Sequence, residues 1–260
     1  MFDARRKYLT IQRELGGNEV ILSAPLKSDG KTERRKDGSS EESASSLPSS
    51  LPSVLPSWSK GAPPIPETPG ISVLAPPRGL LDAPPSWETL QQVSATIAAC
   101  RDCFLCEGRR NTVPGEGNAR AKLLFVGEGP GQVEDETGRP FVGRAGELLT
   151  KMIEAIGLER GDVFIANVVK CRPPQNRKPL PDELAACWKY LERQIELIRP
   201  KVIVALGATA AEVLLQVKRS LAELRGRVHS YRGTPLVVTY HPAALLRNPN
   251  WKKPTWDDIR

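Results

Sequence analysis

Short apolar runs alternate with stretches of helical periodicity from residue 87 to the C-terminus. Four runs are apolar enough to form buried strands: residues 121–127, 163–169, 201–206 and 236–240. Helical periodicity predicts helices at residues 88–99, 146–156, 181–198 and 208–216. Because strands that alternate with helices form parallel sheets covered on both faces, we predict a three-layer α/β/α domain over residues 87–260. Its central sheet is expected to be four-stranded and mostly parallel.

Polar residues and a glycine occupy the points at which these strands end. One of them follows or closes each apolar run: Glu128, Asn167, Gly207 and His241. The carboxyl ends of parallel strands meet at one edge of the sheet, where ligands bind in such folds. The pattern therefore predicts a functional site at this edge.

The first 86 residues have a different composition. Helical spacing of three apolar residues predicts a short helical segment within residues 1–25. Between residues 39 and 86 about half of the residues are serine or proline, and no helix or strand periodicity is present. Such composition cannot offset the entropy cost of ordering, so we predict a disordered linker over residues 26–86. Its scattered apolar residues leave a docking segment as the alternative.

Composition and charge narrow the functional class. The chain has 260 residues, of which 40% are hydrophobic, and a formal net charge of +7. It contains no apolar run of about 18 residues, so no membrane-spanning helix is expected. The charged N-terminus lacks the apolar segment of a secretory signal, which favours a cytoplasmic protein. The basic charge favours an acidic partner such as nucleic acid.

The five cysteines suggest a metal site rather than a disulfide framework, because their number is odd and the chain is expected to be cytoplasmic. Cys100 and Cys103 form a C-x2-C pair, and Cys171 and Cys187 form a second, more widely spaced pair. Four thiolates from two segments can hold a zinc ion or an iron–sulfur cluster. The alternative is a set of buried thiols without a ligand, and Cys106 is predicted to be a spare thiol beside the site.

A glycine-rich turn, residues 127–131 (GEGPG), closes the first predicted strand. Glycines let the backbone approach a ligand closely and expose its N–H groups. The turn lacks the Gly-Lys-Ser/Thr of a P-loop, and Pro130 is incompatible with the dinucleotide-binding fingerprint. These observations exclude the two commonest phosphate-binding turns.

Three side chains near the predicted edge have both a structural and a functional interpretation. Phe141 lies among glycines and polar residues, where its ring is either a stacking platform or part of the core. Asn167 either braces a loop or reads a ligand, because a buried amide must be satisfied. His241 ends a buried strand, which favours a catalytic role. His229, within the polar residues 227–232, is predicted to lie at the surface.

Several sequence segments together resemble one known family. They are GEGPG at residues 127–131, the Glu134-Asp135 pair, TGRPFVGRAG at 137–146, ANVVKCRPP at 166–174, LGATA at 206–210 and HPAALLR at 241–247. With the C-x2-C-x-L-x3-R pattern of residues 100–109, they are similar to family-four uracil-DNA glycosylases, the iron–sulfur type of bacteria and archaea. The resemblance extends from about residue 88 to residue 260. It implies a monofunctional repair enzyme that flips uracil out of DNA, hydrolyses its N-glycosidic bond and leaves an abasic site.

The same resemblance implies a cofactor and a partner. A [4Fe–4S] cluster would be held by Cys100, Cys103, Cys171 and Cys187, with Cys106 outside the ligand set. In this family the cluster is regarded as structural. The implied partner is uracil-containing DNA, and we expect a nucleoid-associated monomer.

The resemblance further implies a uracil pocket lined by Gly129, Pro130, Gly131, Glu134, Phe141, Asn167 and His241. Phe141 would stack on the flipped base, and Asn167 would read its N3–H and O4 edge. His241 would donate a hydrogen bond to O2, where negative charge develops in the transition state. Backbone N–H groups of residues 128–131 would hold the same oxygen. Glu134 would lie near C5 and exclude the methyl group of thymine.

Roles in hydrolysis and DNA contact follow from the matched positions. The best-studied class of these enzymes carries a catalytic aspartate at the position of Gly129, so Glu128 is the candidate for orienting the attacking water. Leu245 would wedge into the base stack and Arg247 would contact a phosphate, whereas Leu246 is expected in the core. Further candidates for phosphate contacts are Arg139, Arg144 and Lys170.

Two other interpretations stay open. One is a DNA-binding module, or a relative that remains covalently attached to uracil-containing DNA. Such relatives carry an extra basic loop before the His-Pro motif, and residues 225–239 lack its pattern. The other is a zinc-stapled nucleotide-binding protein with no role on DNA.

Overall fold

The computed structural model describes residues 70–73 and 87–260, all of them within one compact unit. The predicted helical segment at residues 1–25 and most of the predicted linker lie outside the described residues. In the described part of the chain, no helix has the length and apolar character needed to cross a bilayer.

Seven strands of the described residues form one sheet. They are β1 Ser72–Val73, β2 Glu116–Gly117, β3 Leu123–Gly127, β4 Phe164–Asn167, β5 Val202–Leu206, β6 Val228–Tyr231 and β7 Thr234–Thr239. Their order across the sheet is β1-β6-β7-β5-β3-β4-β2. The central strands β7, β5, β3 and β4 are parallel to one another and coincide with the four predicted runs. This confirms the mostly parallel core of the predicted sheet.

Three outer strands, β1, β6 and β2, extend the sheet beyond the four strands that were predicted. β2 pairs antiparallel with β4, β6 pairs antiparallel with β7, and β1 pairs parallel with β6. β1 and β2 contain two residues each, which is too short to produce a recognisable alternation. The prediction of a four-stranded sheet is therefore correct for the centre and wrong for the edges.

Alternate residues of the central strands pack into two separate cores. In β3, Leu124 and Val126 belong to one core, whereas Phe125 belongs to the other. β5 repeats the pattern, with Ile203 in the first core and Val204 in the second. Because both faces of the sheet are covered, its strands are apolar on both sides and the three-layer architecture is confirmed.

Four of the helices in the described residues, α1, α4, α5 and α6 below, begin close to the predicted positions, and the others were not predicted. In the described ranges they are α1 Leu90–Ala99, α2 Leu105–Gly108, α3 Gln132–Thr137, α4 Arg144–Ala155, α5 Pro181–Ile198, α6 Ala208–Leu215, α7 Leu221–Leu224, α8 Pro242–Arg247 and α9 Lys252–Ile259. Residues of α5 and α6 pack in the first core, and residues of α4 pack in the second. Thr89 starts α1 through a capping box with Gln92. Pro181 at the first position of α5 needs no hydrogen-bond partner for its nitrogen.

Residues 70–73 are part of this fold, so the linker prediction for residues 26–86 does not hold for these four residues. A Cβ on Gly70 would lie 2.4 Å from the carbonyl oxygen of Val228, so only glycine allows this close approach. Ser230 N–H donates to the carbonyl of Ile71 at 2.8 Å. Ile71 and Val73 pack against the first core.

His229 is buried, which corrects its prediction as a surface residue. Only 3% of His229 is exposed, because it lies on the same face of β6 as Tyr231, which packs in the first core. Its Nδ1 accepts the N–H of Ile71 at 2.9 Å. Its Nε2 lies 2.7 Å from the carbonyl of Leu224 and therefore donates to it. The ring thus links β1 to the sheet, and both of its nitrogens are satisfied by the backbone.

Candidate active site

A cavity of about 370 Å³ opens at the carboxyl ends of the central strands. Its lining includes the four strand-end residues Glu128, Asn167, Gly207 and His241. It also includes the rest of the predicted pocket, namely Gly129, Pro130, Gly131, Glu134 and Phe141. The structure therefore brings together in one cavity all the residues that the sequence placed there.

Asn167 ends β4 with a side-chain oxygen that has no hydrogen-bond partner. The residue is 1% exposed, and its Oδ1 is one of the few buried polar atoms without a partner in the described part of the chain. Gly127 is the register partner of Asn167 on β3, and a Cβ there would lie 2.4 Å from Oδ1. Because buried acceptors are nearly always satisfied, this oxygen indicates a ligand that carries a donor.

Phe141 is held in an unusual backbone conformation beside the cavity. Its φ is 50°, in the left-handed region that is rare for bulky residues. A Cβ on Gly146 would lie 1.9 Å from the carbonyl oxygen of Phe141, so the first turn of α4 packs directly against its backbone. The rings of Phe141 and His241 lie 5.4 Å apart, with their planes tilted by 33°. Strain of this kind is typical of functional positions.

Glu134 fixes the loop that carries Phe141. Its Oε1 accepts the backbone N–H groups of Val142 and Gly143, each at 2.9 Å. The neighbouring Asp135 is buried and accepts the N–H of Arg110 at 2.9 Å. Glu134 therefore organises the wall of the cavity, whereas Asp135 ties α3 to the segment that follows α2.

His241 is neutral and presents a donor. Burial, and to a smaller extent the charge of Arg247, lower the pKa of His241 from 6.5 to about 4. Its Nδ1 accepts the N–H of Ala243 at 3.2 Å, at the start of α8. A backbone N–H can only donate, so the neutral ring carries its proton on Nε2. The cavity thus contains an uncharged imidazole whose remaining nitrogen is a hydrogen-bond donor.

Glu128 follows β3 and receives a hydrogen bond from α6. The hydroxyl of Thr209 donates to Oε2 of Glu128 at 2.5 Å. Thr209 is 3% exposed and lies in the first turn of the helix. No pattern in the sequence predicts this contact, because 81 residues separate its partners.

The two leucines of α8 are placed opposite to the prediction. Leu245 is fully buried against α4 and α9, in a core that contains Leu148 and Trp256. Leu246 is 40% exposed. A fully buried side chain is not available to enter a base stack, so the assignment of Leu245 as the wedge is wrong. Arg247 lines the cavity, as expected for a residue close to the ligand.

Two of the three cations proposed for phosphate contacts already have other partners. Lys170 is 1% exposed, and its Nζ donates to the carbonyl of Asn167 and to Gln194. Its burial excludes a phosphate contact. Arg139 forms a two-pronged ion pair with Glu116, with both distances at 2.7 Å.

Arg177 is a cavity residue that sequence reasoning missed. It lies in the loop after Cys171, and Glu183 holds its guanidinium at 2.6 and 2.8 Å. The ion pair lowers the pKa of the Glu183 carboxyl below its ordinary value. The guanidinium of Arg177 is therefore held beside the cavity, paired with Glu183.

A second, smaller pocket is lined by all five cysteines. Cys100 and Cys103 follow α1, Cys106 lies in α2, Cys171 follows β4, and Cys187 lies in α5. The described residues contain no group of three or more His, Cys, Asp or Glu side chains arranged to hold a metal ion. The donor set itself is that of a sulfur-ligated metal centre.

Hydrogen bonds to sulfur organise the cysteine pocket. Arg109 donates to Sγ of Cys171 at 3.1 Å, and the backbone N–H of Lys170 donates to Sγ of Cys187 at 3.2 Å. Burial raises the pKa of Cys187 to about 12, so its free thiol is protonated at neutral pH. A bound cation would have to displace that proton.

The fold and the main cavity define a class of protein: an α/β domain with a pocket at the carboxyl ends of its parallel strands. The chain belongs to the uracil DNA glycosylase superfamily, whose family profile matches residues 114–260.

The chain is similar to uracil-DNA glycosylases of two types, type 4 and type 5. The type-4 uracil-DNA glycosylase of Sulfurisphaera tokodaii is 47% identical over 66% of this chain and 83% of its own length. The type-4 uracil-DNA glycosylase of Thermotoga maritima is 52% identical over 62% of this chain and 85% of its own length. The type-5 uracil-DNA glycosylase of Pyrobaculum aerophilum is 33% identical over 52% of this chain and 67% of its own length. Of these three, the two type-4 enzymes are the more similar, in agreement with the motifs.

Proposed function

We propose that this protein is a monofunctional uracil-DNA glycosylase of the type-4 kind, which hydrolyses the N-glycosidic bond of uracil in DNA and leaves an abasic site. The observation that carries the proposal is the unpartnered Oδ1 of Asn167, buried in the cavity. An amide at this position accepts from N3–H of uracil through Oδ1 and donates to O4 through its nitrogen. Cytosine has no N3–H, so it leaves the oxygen unsatisfied.

His241 supplies the electrostatic part of the proposed mechanism. Breaking the glycosidic bond transfers an electron pair from C1′ to the base, and negative charge accumulates on O2. A neutral imidazole with its proton on Nε2 donates to that oxygen without a net charge of its own. Because the bond strengthens as charge develops, it stabilises the transition state more than the ground state. Loss of such a donor costs on the order of 100-fold or more in rate.

Glu128 is the proposed acceptor for the attacking water. Water adds to C1′ as the base leaves, and one of its protons passes to an acceptor. Glu128 is the carboxylate within the glycine-rich turn, and no lysine lines the cavity among the described residues. The absence of an amine nucleophile there favours hydrolysis over strand cleavage through a Schiff base.

Phe141 and Glu134 complete the proposed recognition of uracil. The ring of Phe141 offers a stacking surface, with its orientation fixed by the Glu134 hydrogen bonds to the loop. Glu134 also lines the cavity, where its carboxylate would disfavour the methyl group of thymine. Both roles require a base that has left the duplex stack.

The proposed DNA-binding face surrounds the mouth of the cavity. Leu246 replaces Leu245 as the candidate wedge, because it is the exposed leucine of α8. Arg247 lines the cavity and carries the positive charge that a phosphate requires. Such an enzyme is expected to act on chromosomal DNA in the cytoplasm, as a monomer.

We also propose that the cysteine pocket holds a [4Fe–4S] cluster through Cys100, Cys103, Cys171 and Cys187. The support is the all-sulfur donor set and the two N–H donors directed at its sulfurs. Such hydrogen bonds are typical of protein iron–sulfur sites. The bound cluster would cross-link α1, the segment after β4, and α5, and it is not assigned a step in hydrolysis.

The first experiment is excision from a uracil-containing oligonucleotide, read on a denaturing gel after hot alkali. We expect cleavage only after alkali and only at uracil, with a thymine oligonucleotide as the control. Asn167→Ala and His241→Ala should both be slow, and His241→Ala should still bind abasic DNA. An alkali-resistant, shifted band would identify a covalently attached relative. Binding without cleavage by a brown, iron-containing preparation would identify a DNA-binding module.

A further inference from the structure

The contact between Thr209 and Glu128 joins two elements at the cavity. Glu128 lines the cavity, whereas Thr209 lies behind it and is 3% exposed. The hydroxyl of Thr209 donates to Oε2 of Glu128 at 2.5 Å. Within the described residues, the Glu128 carboxylate has no second hydrogen bond, so Oε1 stays available to a water molecule.

The direction of this hydrogen bond follows from the chemistry of its partners. An ionised carboxylate can only accept, so the single hydroxyl proton of Thr209 must point to Oε2. Hydrogen bonds to ionised oxygens are shorter and stronger than neutral ones. Thr209 is also β-branched, which restricts its χ1 and therefore the position of its hydroxyl. α6 thus presents a rigid donor to a carboxylate whose own side chain has three rotatable torsions.

We propose that Thr209 is a positioning residue, whose hydroxyl holds the Glu128 carboxylate in the orientation that directs the attacking water. It acts through Glu128 and does not touch the substrate. The inference rests on the proposed role of Glu128 in hydrolysis. Thr209 would thus have a function beyond its place in the first turn of α6.

The test compares single-turnover excision by Thr209→Val, Thr209→Ser, Glu128→Gln and the Val/Gln double variant. Valine keeps the volume and branching of threonine and removes the donor. Loss of the donor should lower the rate about 10- to 100-fold, which is about 1.4–2.7 kcal/mol at about 1.36 kcal/mol per tenfold. Thr209→Ser should stay within about threefold of the wild-type rate, since it keeps the hydroxyl. Binding to abasic DNA should not change in the Thr209 variants.

The double variant separates positioning from a structural role. If Thr209 acts through Glu128, adding Thr209→Val to Glu128→Gln should cost no further rate. Multiplicative losses would overturn the proposal, as would a wild-type rate for Thr209→Val. A wild-type rate for Glu128→Gln would instead refute the proposed role of Glu128. Thermal melting checks the fold, and Thr209→Ala replaces the valine variant if that variant does not fold.

Discussion

The side-chain oxygen of Asn167 occupies the space in which a side chain on Gly127 would begin. A Cβ at residue 127 would lie 2.4 Å from Asn167 Oδ1 and 2.5 Å from the ring of Phe141. The glycine that ends β3 therefore lets two candidate uracil-binding groups share the same corner of the cavity. A substitution of Gly127 therefore tests the positions of Asn167 and Phe141 without changing either residue.

Gly127→Ala is expected to disrupt excision by displacing both Asn167 and Phe141. Contacts as short as 2.4 and 2.5 Å cannot be accommodated without movement of these side chains. A displacement of about 1 Å in a positioning group can cost about 100-fold, so we expect a loss of that order in single-turnover rate. Gly161→Ala is the matched control, because nothing lies within 4 Å of its Cβ position. Equal rates for the two variants would contradict the assignment.

His241 should make the stability of the protein depend on pH. Its folded pKa of about 4 lies below the ordinary value of 6.5, so between these pH values the unfolded chain binds a proton that the folded chain does not. The contribution of this group is therefore fully present above pH 6.5 and is lost as pH falls toward 4. As pH falls over this range, the free energy of unfolding of the His241→Asn variant should decrease by about 1–3 kcal/mol less than that of the wild type.

Urea unfolding at several pH values measures this difference. Parallel stability curves for the wild type and His241→Asn would show that the pKa of His241 is not depressed in the folded protein.

Leu245 and Leu246 form a matched pair in which burial predicts opposite effects. Leu245→Ala should destabilise the fold by about 2–5 kcal/mol, because Leu245 is fully buried against α4 and α9. Leu246→Ala should leave stability nearly unchanged, since the side chain is 40% exposed. If Leu246 fills the stack after base flipping, its loss should slow excision from duplex DNA more than from single strands. Equal slowing on both substrates would argue against a wedge.

The central strands and the pocket were predictable because each signal was local. Strands buried on both faces appear as continuous apolar runs, and their ends share one edge of the sheet. The phase of α8 was not predictable from the pattern. This helix has six residues, too few for periodicity to decide whether Leu245 or Leu246 faces the core. Packing against α4 and α9 makes that choice.

The remaining errors have the same origin in long-range contacts. His229 lies in a polar stretch of sequence, yet its ring nitrogens form hydrogen bonds with the backbone of Ile71 and of Leu224. Ile71 is distant in sequence, and nothing in the pattern marks Leu224 as a partner. Lys170 looks like a surface cation, yet a carbonyl and Gln194 satisfy its ammonium inside the fold. Polar residues are buried where partners exist, and a one-dimensional pattern does not show the partners.

Substitution of single cysteines should separate the proposed cluster ligands from the spare thiol. Cys187→Ser should lose the brown colour and most of the bound iron, because it removes one of four thiolates. Cys106→Ser should keep the iron and sulfide content of the wild type. Anaerobic purification followed by iron, zinc and sulfide analysis measures both. Zinc in place of iron in the wild type would support the zinc-stapled alternative, and iron loss in Cys106→Ser would change the ligand set.

Truncations on either side of β1 should show what residues 70–73 contribute. A chain that starts at residue 70 keeps β1, whereas one that starts at residue 87 loses it and uncovers the edge of β6. The half-buried Ile71 and Val73 then no longer cover the first core, and the N–H of Ile71 no longer satisfies His229. We expect the shorter chain to melt about 2–8 °C lower, which corresponds to about 1–2 kcal/mol for a domain of this size.

Excision at low temperature should be similar in the two truncated chains, because no residue of β1 lines the main cavity. Gly70→Ala in the full chain is the matched variant, since it blocks the approach to Val228 without removing any residues. It should lower the melting temperature as the shorter truncation does. Equal melting of both truncations would mean that β1 adds no stability to the sheet. Loss of excision by a folded chain that starts at residue 87 would mean that the segment before α1 acts on the DNA itself.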